Sequence, residues 1–173
     1  RVHDLIGDFI VNDISAGEDD PHMLTTVARL GLEYVAMHKR GNSLTMQSMT
    51  DYSDIVEEVR TYFVQKISDL RKAGIEDIVI DPGFGFAKTL EQNYQLMNGL
   101  HRLGDLGAPM LVGISRKSMI YKLLNTTPAE ALNGTTALHL EALRQGATLL
   151  RVHDVAEVVQ TLQLYERFSE NDK

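Results

Sequence analysis

Residues 74–89 read "GIEDIVIDPGFGFAKT". A glycine opens the stretch, an apolar run follows, and the run stops on a carboxylate, Asp81, set against Pro82-Gly83-Phe84-Gly85. Glycine reaches the left-handed conformation that commonly ends a helix, so Gly74 reads as a helix cap feeding a strand. A continuous rather than alternating apolar run suits a strand buried on both faces of a parallel sheet. The proline and glycines then turn the chain sharply where the strand ends.

The same unit recurs on either side. Gly7 precedes "DFIVNDI" (8–14), Gly31 precedes "LEYVAMH" (32–38), Gly107 precedes "APMLVGIS" (108–115) and Gly146 precedes "ATLLRVH" (147–153). Helical periodicity fills the gaps. Residues 51–74 place Ile55, Val59, Tyr62, Phe63, Ile67 and Leu70 on one face, with Asp51 or Ser53 as the cap. Residues 133–146 place Ala137, Leu140, Ala142 and Leu143 together, with Thr135 or Asn133 as the cap. Alternating strand and helix predict right-handed βα units on a parallel sheet, and no linker or change of composition divides residues 1–173. An open doubly wound sheet and a closed (β/α)₈ barrel both fit this pattern; five units suit the first, while a barrel takes eight strands and about 250 residues.

Composition narrows the function classes. With 173 residues, 43% hydrophobic and 24% charged, the chain can bury a sizeable core. A net charge of −7 argues against a general nucleic-acid or anionic-membrane surface, although a local basic pocket for an anionic substrate stays compatible with it. The absence of cysteine excludes disulfides, thiolate metal sites and thiol nucleophiles, and suits a cytoplasmic protein. No apolar stretch approaches the roughly 20 residues of a membrane span, and no signal peptide is expected.

Each run finishes on polar residues: Asn12-Asp13, His38 after Met37, Asp81, Ser115-Arg116-Lys117, and Arg151 with His153. Polar groups at the carboxyl edge of a parallel sheet form a pocket floor, with βα loops as walls. Each residue also has a structural reading. Asp13 and Asp81 suit turn formation, His38 a hydrogen-bonded core position, and Arg116 a surface charge. "RVHD" occurs twice, at 1–4 and at 151–154; only the second copy falls at a strand's carboxyl end, so only that copy reads as functional. "GFGFAK" lacks the spacing of a dinucleotide fingerprint, no His pair suggests a metal site, and Ser115 lacks a nucleophile elbow.

In order, "VNDISAG", "VAMH", "IDPGFGFAKTLEQN", "GISRKSMI" and "GATLLRVHDV" resemble dihydropteroate synthase over about Gly7 to Tyr165. The spacer "GNSLTMQSMTDYSDIVEEV" is similar to that family's long loop and helix, without the prolines often found there. The resemblance implies a (β/α)₈ TIM barrel of which these five units are strands four to eight, in one pterin-binding domain spanning 1–173. The first three units are then absent, and the isolated segment is expected to be inactive. A related barrel, the methyltetrahydrofolate:corrinoid methyltransferase, has no need for the "SRKS" or "RVHD" residues; a non-catalytic pterin-binding fragment is the other alternative.

The resemblance implies condensation of 7,8-dihydropterin-6-ylmethyl diphosphate with p-aminobenzoate in folate synthesis, a step that sulfonamides target. It assigns Asn12, Ile14, Met37, Asp81, Gly113 and Lys117 to the pterin, and Arg151 and His153 to the diphosphate. By the same resemblance, Phe86, Lys117 and Ser118 are expected to line the p-aminobenzoate pocket. The resemblance also implies that Lys117, Asp81, Arg151 and His153 carry the catalysis. Mg²⁺ is expected with the substrate diphosphate, its protein ligand lying outside this segment. A homodimer is the expected assembly.

Overall fold

The computed structural model describes residues 1–41, 45 and 48–171. Residues 42–44, 46 and 47 of the long spacer lie outside the described residues. Five strands, β1 (Val11–Asp13), β2 (Tyr34–Met37), β3 (Ile78–Asp81), β4 (Leu111–Val112) and β5 (Leu149–Leu150), alternate with helices. The helices are α1 (Val2–Ile6), α2 (Met23–Leu30), α3 (Ile55–Lys72), α4 (Leu90–Asn98), α5 (Ser118–Tyr121), α6 (Leu132–Arg144) and α7 (Val155–Asn171), with 3₁₀ turns at Leu100–Leu106 and Pro128–Glu130. Strands β1, β2 and β3 pair in parallel in that order, and β4 pairs in parallel with β5. A parallel bridge between Ile80 and Met110 joins the two groups, so the strands follow chain order across the sheet.

Register explains which side chains meet. Asn12 pairs with Val35, Val35 with Val79, and Met37 with Asp81. Side chains alternate along a strand, so Asn12, Val35, Met37, Val79 and Asp81 share one face. Val35, Val79, Leu111 and Leu149 pack together on that face. The opposite face carries Tyr34, Ala36, Ile78, Ile80 and Val112, which join the large core with Val59, Phe63, Ile67 and Leu70 of α3. Phe63 is fully buried there, and truncating such a ring costs about 3–5 kcal/mol.

The glycines before the strands all have positive φ; Gly31 and Gly107 are left-handed caps as expected, whereas Gly7, at ψ −153°, is not. Other expectations need correction. The ladders are shorter than the apolar runs: residues 8–10, 32–33, 113–114 and 151–152 of those runs lie outside any regular element. β2, β3 and β4 are buried throughout, but β1 is partly exposed and β5 half-buried, as fits strands paired on one side only. Helix α3 is capped by Asp54, not Asp51 or Ser53: its carboxylate accepts from the Val56 and Glu57 amides at 3.0 and 3.1 Å. Helix α6 starts at Leu132 after Ala131, which makes no side-chain cap. Its buried face is Thr135, His139, Ala142 and Leu143, while Ala137 is exposed and Leu140 half-buried. A small alanine is tolerated in water, so its apolar character misdirected the phase of the helix.

Candidate active site

The site is built on the face that Asn12, Met37 and Asp81 share. Asp81 ends β3 and is 1% exposed. The Gly83 amide donates to its Oδ1 at 2.8 Å, so the carboxylate does form the turn that follows it. Its Oδ2 lies 3.1 Å from Arg151 Nη1 but is buried without an aligned hydrogen bond. The same Nη1 donates to Asn12 Oδ1 at 2.9 Å. A Cβ built on Gly113 would stand 2.6 Å from Arg151 Nη2, so this glycine makes room for the guanidinium. Arg151 thus draws together the ends of β1, β3, β4 and β5.

The turn after Asp81 presses against the end of β2. Gly83 has φ +70°, and a Cβ on it would lie 2.0 Å from the His38 carbonyl oxygen and 3.3 Å from Met37 Cγ. Lys117 Nζ donates to the Phe84 carbonyl and stands 4.9 Å over the Phe86 ring. Burial, with the Arg151 cation, outweighs the attraction of Asp81 and pushes the Lys117 amine down to about 8. Ser118 follows as the first residue of α5, half-buried. Ile14 is 46% exposed just beyond β1.

Arg151 and His153, expected as a pair, point to different partners. The His153 ring lies with Nδ1 2.9 Å from Ser115 Oγ, and its backbone amide donates to the same oxygen at 3.2 Å. Arg151 instead joins Asn12, Asp81 and Gly113. Arg151, expected at the diphosphate, thus also touches Asn12 and Asp81, both expected at the ring.

Asp13 and His38 follow their structural readings, while Arg116 is a half-buried paired residue rather than a surface charge. Asp13 accepts from the Ser15 amide and hydroxyl, the Gly17 amide and the Tyr34 hydroxyl at 2.7–2.8 Å. Burial raises its pKa, but these bonds win and hold it below the usual carboxylate range. His38 is buried against Tyr62 and Phe63. Arg116, at φ +54°, makes a two-pronged pair with Asp154 at 2.8 and 2.9 Å.

Lys88 went unrecognised in the sequence. It is 6% exposed, and its Nζ reaches His38 Nδ1 at 3.1 Å, the Gly83 carbonyl at 2.9 Å and the Phe86 carbonyl at 3.0 Å. The sequence carries no signal for it: a lysine is rarely buried unless paired, and its partner His38 lies 50 residues away in the chain.

These side chains do not fit a resident Mg²⁺. Asp81 is the buried carboxylate beside them, and its oxygens face the Gly83 amide and the Arg151 guanidinium. Lys117 and Lys88 add two amines close enough to feel its charge. Among the described residues no group of three metal-ligating side chains occurs.

A parallel βα protein with convergent polar groups at its carboxyl edge is a small-molecule-binding enzyme scaffold. A profile described as "Pterin binding enzyme" matches residues 3–153. The chain belongs to the pterin-binding enzyme family. It is 43% identical over 163 residues to dihydropteroate synthase of Escherichia coli K12, covering 93% of this chain and 57% of that protein. With the Synechocystis dihydropteroate synthase it shares 44% identity over 154 residues, covering 87% and 53%. Among solved structures, Yersinia pestis dihydropteroate synthase in a sulfonamide drug complex superposes with a TM-score of 0.91 at 37% identity, covering 95% of this chain and 60% of that one. The Thermus thermophilus enzyme in complex with 4-aminobenzoate gives 0.89 at 37% identity, covering 93% and 66%. Such neighbours carry a TIM-barrel-type α/β fold. The chain spans a little over half the length of the curated relatives it matches.

Proposed function

We propose that this chain supplies the pterin- and p-aminobenzoate-handling part of a dihydropteroate synthase. The reaction joins 7,8-dihydropterin-6-ylmethyl diphosphate to p-aminobenzoate and releases pyrophosphate. The observation that carries the reading is the buried Asp81 carboxylate, held at the end of β3 among Asn12, Gly113 and Arg151. A pterin offers an amino group and a ring N–H beside a carbonyl. A carboxylate accepts such donors through charge-assisted bonds, roughly twice as strong as neutral ones.

The roles of the remaining residues follow from their chemistry. Asn12 has a donor and an acceptor for the ring heteroatoms, the Gly113 carbonyl accepts from the amino group, and Met37 and Ile14 supply apolar contact. Lys117, partly relieved of its proton cost by Asp81, reaches the pterin carbonyl by leaving Phe84. Phe86 and Ser118 line the arylamine pocket beside it. Arg151 and His153 receive the diphosphate, the ring of His153 being steadied by Ser115.

Substitution takes place at the pterin methylene carbon. The C–O bond to diphosphate breaks largely before the arylamine nitrogen closes on carbon, and the amine then gives up a proton. Cations at the departing oxygens stabilise the leaving group, while the bound pterin spreads the positive charge on carbon. An arylamine is already neutral at pH 7, so the protein needs to position it rather than deprotonate it. No protein nucleophile takes part.

We also read the five units as consecutive members of an eight-stranded barrel, strands four to eight of one pterin-binding domain. The parallel strands in chain order, curved enough for Arg151 to reach Asn12, support this. A homodimer and a cytoplasmic location accompany the reading by family resemblance. Sulfonamides, which carry an arylamine, then compete with p-aminobenzoate. The test is pyrophosphate release by the full-length protein from the two substrates. Release that needs both and is blocked by a sulfonamide supports the reading; no release at saturating substrate overturns it.

A further inference from the structure

Arg151 stands on the two oxygens that a pterin needs. Its Nη1 donates to Asn12 Oδ1 at 2.9 Å and lies 3.1 Å from Asp81 Oδ2, and its Nη2 fills the space that Gly113 leaves. Asp81 is almost wholly buried and its Oδ2 is covered. A ligand donor bound for Oδ2 has to displace the guanidinium first. The chemistry of the two groups is the same. Guanidinium is a planar set of N–H donors around one carbon, and the pterin edge is an amino N–H and a ring N–H around one carbon. The protein's own side chain stands in for the ligand.

The contact is close but not well made. Arg151 and Asp81 are at ion-pair distance without an aligned hydrogen bond, and the arginine side chain is 40% exposed. It can therefore leave, but leaving strands a buried carboxylate until another donor arrives. An anion offers the guanidinium an alternative partner, because its fork matches phosphate oxygens.

We propose that Arg151 is a specificity-determining residue that occupies Asp81 and Asn12 in the free protein and is drawn off them by the ligand's own anionic group. A phosphate-free pterin must push the guanidinium into water. A pterin diphosphate moves it from Asp81 onto its own charge. The site then selects for a guanidine-like edge and an anion together. This rests on Asp81 being the pterin acceptor. It has a thermodynamic consequence that the acceptor role alone lacks: pterin and free pyrophosphate help each other to bind, by equal factors.

Calorimetry on the full-length protein tests this, with 6-hydroxymethylpterin titrated in the presence and absence of inorganic pyrophosphate. In the wild type, pyrophosphate should raise pterin affinity by about 5- to 150-fold, the usual range of coupling between sites, and pterin should raise pyrophosphate affinity equally. Arg151→Ala should bind the phosphate-free pterin more tightly than wild type and lose the response to pyrophosphate, at a melting temperature that shows it folded. Unchanged wild-type pterin affinity on adding pyrophosphate overturns the inference without any variant. Weaker pterin binding by folded Arg151→Ala overturns it too, while leaving Asp81 as acceptor. If wild type binds no pterin under either condition, the pterin reading fails and this inference with it.

Discussion

Lys88 Nζ lies 3.1 Å from His38 Nδ1, across 50 residues of chain, and both side chains are buried. The remaining Lys88 contacts are the Gly83 and Phe86 carbonyls, so one amine ties the turn after β3 to the end of β2. An ammonium satisfies all three acceptors when His38 carries its proton on Nε2. A neutral amine satisfies them as well, donating twice and accepting from His38 Nδ1–H. Burial, followed by the Lys117 and Arg40 cations, outweighs Asp81 and brings Lys88 down to about 7. Burial, then Lys88 and Arg40, holds His38 well below its ordinary value.

That depressed value has a sign in stability. Between about 7 and an unfolded value of about 10.4 the unfolded chain holds a proton that the folded chain has released. Stability therefore rises with pH across this window, and the penalty of burying the charge is fully present below it. Lys88→Met removes this dependence. Wild type should gain on the variant between pH 7 and 10, at up to about 1.4 kcal/mol per pH unit. Denaturant melts at several pH values measure it; a difference that is flat with pH would place Lys88 in water.

Gly83 and Gly85 lie two residues apart and should respond differently. Both have positive φ, but a Cβ on Gly83 collides with the His38 carbonyl at 2.0 Å, whereas on Gly85 its nearest neighbour is Lys117 Cδ at 3.6 Å. Gly83→Ala is expected to cost about 3 kcal/mol or more, backbone having to move. Gly85→Ala should cost only the left-handed penalty of about 1–2 kcal/mol. Equal losses in chemical unfolding would mean that the turn is not held against β2.

Asp81→Asn keeps the shape of the side chain and replaces one acceptor by a donor. Pterin affinity should fall by on the order of 2–4 kcal/mol, the scale of a lost charged hydrogen-bond pair. Near-wild-type pterin binding by calorimetry would falsify the assignment of Asp81.

Ser115 steadies His153 from behind, at 2.9 Å. Ser115→Ala should weaken pyrophosphate binding by about 0.5–1.5 kcal/mol, the worth of one neutral hydrogen bond, and His153→Ala should weaken it further. Pyrophosphate titrations of both variants decide this. A larger loss for Ser115→Ala than for His153→Ala would mean that the serine acts on its own account.

The amino-acid sequence by itself determined the five βα units, their parallel direction and the polar character of their carboxyl ends. Those features are local: an apolar run, a glycine before it and a turn after it act within one unit. The same locality explains where the reading stopped. Asp54 displaced Ser53 as the cap of α3 because two amide contacts, not composition, choose the cap. On α6, Ala142 and Leu143 are buried as expected, but Thr135 and His139 take the buried places expected for Ala137 and Leu140.

Only the tertiary structure decided what Arg151 touches. Asn12 lies 139 residues away in the chain, and nothing in "RVHD" says which strand end its arginine will cross to. Register sets that outcome. Pairing Asn12 with Val35 and Met37 with Asp81 puts the polar ends on one face, and the curvature of the sheet brings β5 within reach of β1. Lys88 became legible for the same reason, since its partners on β2 and in the turn converge only once the strands are side by side. Pairing energies between elements depend on distance in space, and a sequence records distance along the chain.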